Sequence, residues 1–177
     1  VTELNIASDA ISPIVMKGLA PGQMSNRSGA GRAAAINAYG GKWGEYAEVA
    51  VLRALEWLRI NQNKDGSWGT HDKEAMTGLG ILTFLAHGET TSSARYGQTV
   101  QSAIRYLVAR QNEQGVFDKV DTTAGTYSQA ICVYAVSEAY GMMRIPSLKT
   151  VMEKGAQVLI NGQQANGGYD YKFAKGD

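Results

Sequence analysis

From Glu45 onward, apolar residues recur every three or four positions, the spacing of one face of a helix. Ala47, Ala50, Val51, Ala54, Leu55 and Leu58 share that face, while Glu45, Glu48, Glu56 and Arg59 share another. The pattern returns from about Thr99 to Arg110, with Val100, Ala103, Ile104, Leu107 and Val108 as its stripe. It returns again after Pro146-Ser147 with Leu148, Val151, Met152, Gly155 and Leu159, and Ser147 is placed to cap the first turn. Amphipathic helices are therefore expected near 45–61, 99–110 and 147–161.

Between them lie stretches of another kind. Ala75 to Ala86 and Gln129 to Val136 carry almost no charge on any face, so helices near 75–87 and 127–140 are expected to be buried all round. Both run into glycine, at Ala86-His87-Gly88 and Ala139-Tyr140-Gly141, where glycine can take the left-handed conformation that stops a helix. One-faced helices alternating with uniformly apolar ones predict an all-α fold in two layers, an outer layer with one wet face and an inner layer packed on both sides.

A short phrase punctuates this alternation three times. A helix-like run ends in Gln, Gly follows four positions later, and an aromatic follows two after that: Gln62, Gly66, Trp68; Gln111, Gly115, Phe117; Gln163, Gly167, Tyr169. The glutamines are 49 and then 52 residues apart, and the apolar run before each repeats in register. A period of this size predicts stacked repeats, because one unit cannot bury its apolar face alone. Asp65-Gly66 offers a backbone turn, Gln62 a donor for helix-end carbonyls, and Trp68 an apolar plate. The motif therefore reads as a structural clip before it reads as a ligand site.

A helix ending in Gln, followed by Gly and Trp at this period, resembles the QW repeat of squalene and hopene cyclases. It is also similar to the repeat of protein prenyltransferase β-subunits. The resemblance covers about residues 44–177, with Phe117 and Tyr169 replacing Trp in the later copies. It implies an α/α toroid of helical hairpins, with parallel inner helices and outer helices antiparallel to them. About two and a half hairpins would be present, as repeats at about 45–98, 99–146 and an incomplete 147–177. The chain is accordingly expected to be a piece of a longer protein, and the open edges of its partial toroid invite self-association.

Residues 1–42 hold no sustained periodicity and are broken by Pro21-Gly22, Gly29-Ala-Gly31 and Gly40-Gly41, so a glycine-rich extended arm is expected before a repeat domain at 43–177. Only Arg32 to Tyr39 suits a short helix. Gly29-Ala-Gly31 lacks the preceding strand and following Lys-Ser/Thr of a phosphate loop. The bulk numbers restrict partners rather than fold. A net charge of +1 over 177 residues supports neither nucleic acid nor an anionic membrane surface, and no apolar run reaches membrane-span length. The single cysteine, Cys132, excludes an internal disulfide and leaves the compartment undecided.

The sequence holds no complete catalytic motif. The resemblance would imply an Asp-x-Asp-Asp acid in cyclases. The nearest string is Asp118-Lys-Val-Asp121, which reads more readily as a solvated loop. Prenyltransferases of the family hold zinc with Asp, Cys and His. Cys132, His71 and His87 are not spaced to cooperate, so no metal and no cofactor is expected. If the inner helices are parallel, the loops entering them gather at one mouth, which nominates His71, Asp72, Asp118, Asp121 and Tyr127 as the nearest residues to any site. Helix capping by Thr70, Asp72 and Thr126 is the stronger reading of those loops. A lining of Met76, Leu79, Phe84 and Tyr134 would suit an apolar small molecule. Three functions stay open. One is a non-catalytic, terpenoid-cyclase-like toroid with an apolar or isoprenoid cavity. The second is a carbohydrate-active toroid, a lyase or glycosidase. The third is an isoprenoid cyclase or prenyltransferase whose catalytic motif lies beyond residue 177.

Overall fold

The computed structural model describes residues 27–119 and 122–173, and all its regular structure among them is helical. Six α-helices follow in order: α1 (Gly29–Tyr39), α2 (Gly44–Ile60), α3 (Lys73–Ala86), α4 (Gly97–Arg110), α5 (Thr123–Met143) and α6 (Pro146–Gly162). One-turn 3₁₀ segments sit at Gly41–Trp43 and Tyr171–Phe173. The protein is all-α, and the five helices expected from the periodicity form within a few residues of their predicted bounds, as does the short helix around 32–39.

The two uniformly apolar helices, α3 and α5, pack against each other most extensively. They run in the same direction. Gly78 of α3 meets Ile131 of α5 midway, and Thr91, just past the end of α3, reaches Met143 at the end of α5. The outer helices run against them: Arg110, at the end of α4, bonds Glu74 at the start of α3, while Tyr96 at the start of α4 packs on Phe84 near the end of α3. In the same way α6 packs on α5, so α4 and α6 each lean on the inner helix before them. The core lies between these layers and includes Leu55, Phe84, Ile104, Leu107, Phe117, Val136 and Leu148, all nearly inaccessible.

Four local expectations need correction. Gly141 does not end α5: the helix runs on to Met143, and Arg144 takes the left-handed turn at φ 53°. One more turn buries Met142 and Met143, and that gain outweighs an early glycine stop. Gly88, by contrast, does take the left-handed position after α3, at φ 85°. Ser147 does not cap α6. Ile145 is the N-cap and Pro146 the first helical residue, which suits a residue with no N–H, and the Ser147 hydroxyl is buried without a hydrogen bond. Capping by Asp72 and Thr126 also fails. Asp72 stands before α3 at φ 46° with no side-chain cap, and Thr122, not Thr126, accepts the Gly125 amide at 3.0 Å.

The fourth correction concerns burial. The inner helices are not covered on every side, because Met76 and Leu79 of α3 and Tyr127 and Tyr134 of α5 remain exposed at 43–57%. Phe84, expected to line a cavity, is instead wholly buried between Trp68 and Tyr96, at centroid distances of 6.0 and 5.4 Å. α1 is tied to the far end of the inner pair by charge. Arg32 donates to the His87 carbonyl, Arg27 pairs with Glu138, and the His87 ring sits between Glu89 at 3.0 Å and Glu48 at 3.2 Å.

Candidate functional site: the inner face and the loops that hold it

The loop after each outer helix is built alike. Gly66, Gly115 and Gly167 have φ of 90°, 88° and 86°, a region open to glycine and strained for other residues. In each copy the glycine amide donates to the carbonyl three residues back, and the residue after Gln donates to the carbonyl four residues on, at 2.9 Å. Each glutamine then donates its side-chain amide to the glycine carbonyl, at 2.9, 3.3 and 2.8 Å. The first two donate a second time, across to the next outer helix: Gln62 to Thr99 O at 3.0 Å, and Gln111 to Val151 O at 2.8 Å.

The aromatics follow suit. Trp68 and Phe117 are 5% and 1% exposed, whereas Tyr169 is 53% exposed. The Trp68 indole donates to Leu58 O at 2.8 Å, and its ring lies against Gly80, where a Cβ would sit 2.6 Å from Cε3. The Trp68 and Phe117 amides donate to side chains of the following inner helix, Thr77 at 3.2 Å and Gln129 at 3.0 Å. The first two loops thus tie the outer helix they leave to the inner helix they enter. Asp65 reinforces the first loop by accepting from the Ser67 amide and hydroxyl, with Lys73 at 3.1 Å; these bonds hold its carboxyl down at about 2.

Because α3 and α5 are parallel, the residues entering them share one end of the inner pair. His71 and Asp72 are exposed ahead of α3. Asp118 is half-buried before α5, its Oδ1 accepting from the Lys119 amide at 2.7 Å. Tyr127 lies in the first turns of α5 with its ring 6.2 Å from that of Tyr171, whose hydrogen bond and charge push the Tyr127 phenol up. Asp121 lies outside the described residues. Among the described residues no hydrogen bond joins His71 or Asp72 to Asp118 or Tyr127.

The charged side chain that the structure does place between layers at this end is Glu74, which sequence reasoning passed over. It is 7% exposed, with Arg110 Nε at 2.6 Å and the Tyr106 hydroxyl at 3.2 Å from the same oxygen. Burial first, and then the Glu74 charge, push the Tyr106 phenol up to about 12. The sequence signal is an acid in the first turn of a helix that carries no charge after it. Cys132 is fully buried mid-helix, and burial raises its thiol far above the ordinary range, so it stays a protonated apolar group. Among the described residues no three His, Cys, Asp or Glu side chains are grouped to hold a metal ion, and no helix is long and apolar enough to cross a membrane.

Above this end the exposed faces of the inner helices are free of charge. From Met76 to Ala86 and from Thr123 to Ser137 there is no ionisable acid or base apart from tyrosine and the buried cysteine. Beyond the first residues of α5, the exposed positions are Met76, Leu79, Thr83 and Ala86 on α3 and Tyr127, Ala130 and Tyr134 on α5, at helical spacing on one stripe per helix.

No family model matches the chain, and no solved structure matches it. Among curated proteins it is similar to a squalene–hopene cyclase of Bradyrhizobium diazoefficiens, 30% identical over an 89-residue alignment. That alignment covers 42% of this chain and 13% of the cyclase. The likeness supports a distant relationship to the squalene–hopene cyclases.

Proposed function

We propose that the chain is part of a terpenoid-cyclase-like α/α toroid whose inner face contacts an apolar, isoprenoid ligand. The observation that carries this reading is the uncharged stripe of Met76, Leu79, Tyr127 and Tyr134, left open on the two helices that otherwise form the centre of the packing. A buried helix with one open apolar face is what a cavity wall requires. The similarity to a squalene–hopene cyclase makes a polyprenyl hydrocarbon such as squalene the ligand class to try first.

On this reading the described residues bind rather than catalyse. Protonating an alkene needs an acid held protonated and unpaired, and the two acids on the inner helices, Glu74 and Glu138, are paired with Arg110 and Arg27. The three repeated loops then serve to hold the wall, not to touch the ligand. A carbohydrate-active toroid would need paired carboxylates on the inner face, and the stripe carries none.

The test is equilibrium binding of squalene, presented in detergent micelles, to the 177-residue chain. Saturable binding that Leu79→Glu or Tyr134→Glu weakens about tenfold or more supports the reading, by analogy with the cost of burying an unpaired charge. Binding unchanged by both substitutions, or turnover of squalene by this chain alone, overturns it.

A further inference from the structure

The repeated loop also specifies what should cover the exposed face of α2. Thr99 O and Val151 O, which receive Gln62 and Gln111, each stand at the same distance before the glutamine of their own repeat; the corresponding acceptor on α2 is the carbonyl of Ala50. Gly66 packs on the carbonyl of Ser102, and Gly115 on that of Lys154; the counterpart on α2 is Arg53. Phe117 lies 3.2 Å from where Gly155 would carry a Cβ, and the matching small residue on α2 is Ala54.

On α4 the seated loop helps bury Thr99, Val100, Gln101 and Ala103. On α2 the equivalent Ala50, Val51, Leu52 and Ala54 are all exposed. At the other end, the third loop has the donor side of the same joint without a partner among the described residues. Gln163 makes its local bond to Gly167 and no second bond, a Cβ on Gly167 would approach nothing closer than its own loop at 4.0 Å, and Tyr169 stands open. One end offers the acceptor side of a joint that the chain makes twice internally, and the other end offers the donor side.

We propose that a second copy of this chain docks head to tail, its Gln163–Tyr169 loop seated on α2. The Gln163 amide of one copy donates to Ala50 O of the next, Gly167 lies over the Arg53 carbonyl, and Tyr169 covers Ala54. The contact is heterologous: two different surfaces meet, so association propagates beyond a dimer unless the rotation closes into a ring. This joint follows from the repeat geometry and is independent of any ligand on the inner face.

The experiment is sedimentation velocity of the full 177-residue chain over a wide concentration range, with Ala54→Glu and Tyr169→Glu variants. Both sites are exposed, so circular dichroism should show unchanged helix content. Wild type is expected to form concentration-dependent dimers and larger species, and each variant alone to stay monomeric. An equimolar mixture of the two variants should recover a dimer and go no further, because each retains the surface the other lacks. A monomeric wild type, or variants that fail to complement each other, would overturn the proposal.

Discussion

The side-chain amide of Gln62 donates to the backbone carbonyl of Thr99 at 3.0 Å, joining the loop after α2 to the first turn of α4. Gln111 repeats the bond to Val151 on α6, and Gln163 has only the local half of it. The same substitution should therefore differ in effect among the three copies. Gln62→Ala and Gln111→Ala remove both the loop bond and a second bond to a helix carbonyl, and are expected to cost about 1–2 kcal/mol each. Gln163→Ala should cost well under that in the monomer. Urea denaturation of the three variants checks the order, and equal losses would show that the cross-helix bond contributes nothing.

Trp68 and Gly80 form a matched pair, a large plate against a bare backbone. Trp68→Ala is expected to cost about 3–5 kcal/mol, as for other buried aromatics. Gly80→Ala should also destabilise, although alanine favours helix, because its methyl would meet the indole at 2.6 Å. Combining Gly80→Ala with Trp68→Leu should recover part of the Gly80→Ala loss. A Gly80→Ala variant with a raised Tm would show that the indole is not seated there.

The Glu74–Arg110 pair spans inner and outer layers with the acid buried and the base half-exposed. Arg110→Met is expected to lose about 1–3 kcal/mol by leaving a buried carboxylate short of its cation. Glu74→Gln should lose less, since a neutral amide can still accept from Tyr106. The double variant should lose less than the sum, and additive losses in the double-mutant cycle would exclude coupling.

Much of the architecture was legible before the structure because it is local. The 3.6-residue periodicity placed the helices, and the thrice-repeated Gln, Gly and aromatic marked the turns, since each glycine must adopt φ near 90°. What was not legible is tertiary. Gly141 looked like a stop because nothing local says that Met142 and Met143 find a core. Periodicity also cannot distinguish a helix buried all round from one with an open apolar face; of the lining that the sequence suggests, Met76, Leu79 and Tyr134 are exposed. Phe84 was assigned to a cavity when its neighbours are Trp68 and Tyr96. Glu74 was missed because its partner Arg110 lies 36 residues away. Of the nominated mouth residues, His71, Asp72, Asp118 and Tyr127 share an end of the inner pair, an expectation that rested on helix direction.

Asp65 supplies a pH signature. Its carboxyl is held at about 2 in the fold, against an ordinary 3.8, mainly by the Ser67 hydroxyl and amide. A lowered acid stabilises the fold above the unfolded value, and that contribution disappears as pH falls from about 4 toward 2. Asp65→Asn should flatten the Tm profile across that window while leaving the shape above pH 5 unchanged, as expected when only one carboxylate is removed. Parallel profiles for the two proteins would exclude the bonded carboxylate as a source of acid sensitivity. Because Asp65 is half-exposed, the effect should be small.

If the inner helices present the ligand-contacting face, photo-crosslinking with a diazirine-bearing polyprenyl hydrocarbon should label them. α2 offers another open apolar surface at Tyr46, Trp57 and Ile60, with Trp43 just before it, so the chain carries its own control. Peptide mapping should find the label on Met76, Leu79, Tyr127 or Tyr134, reduced by excess squalene. Label confined to α2, or spread over both surfaces without competition, would rule out the inner helices as the ligand face.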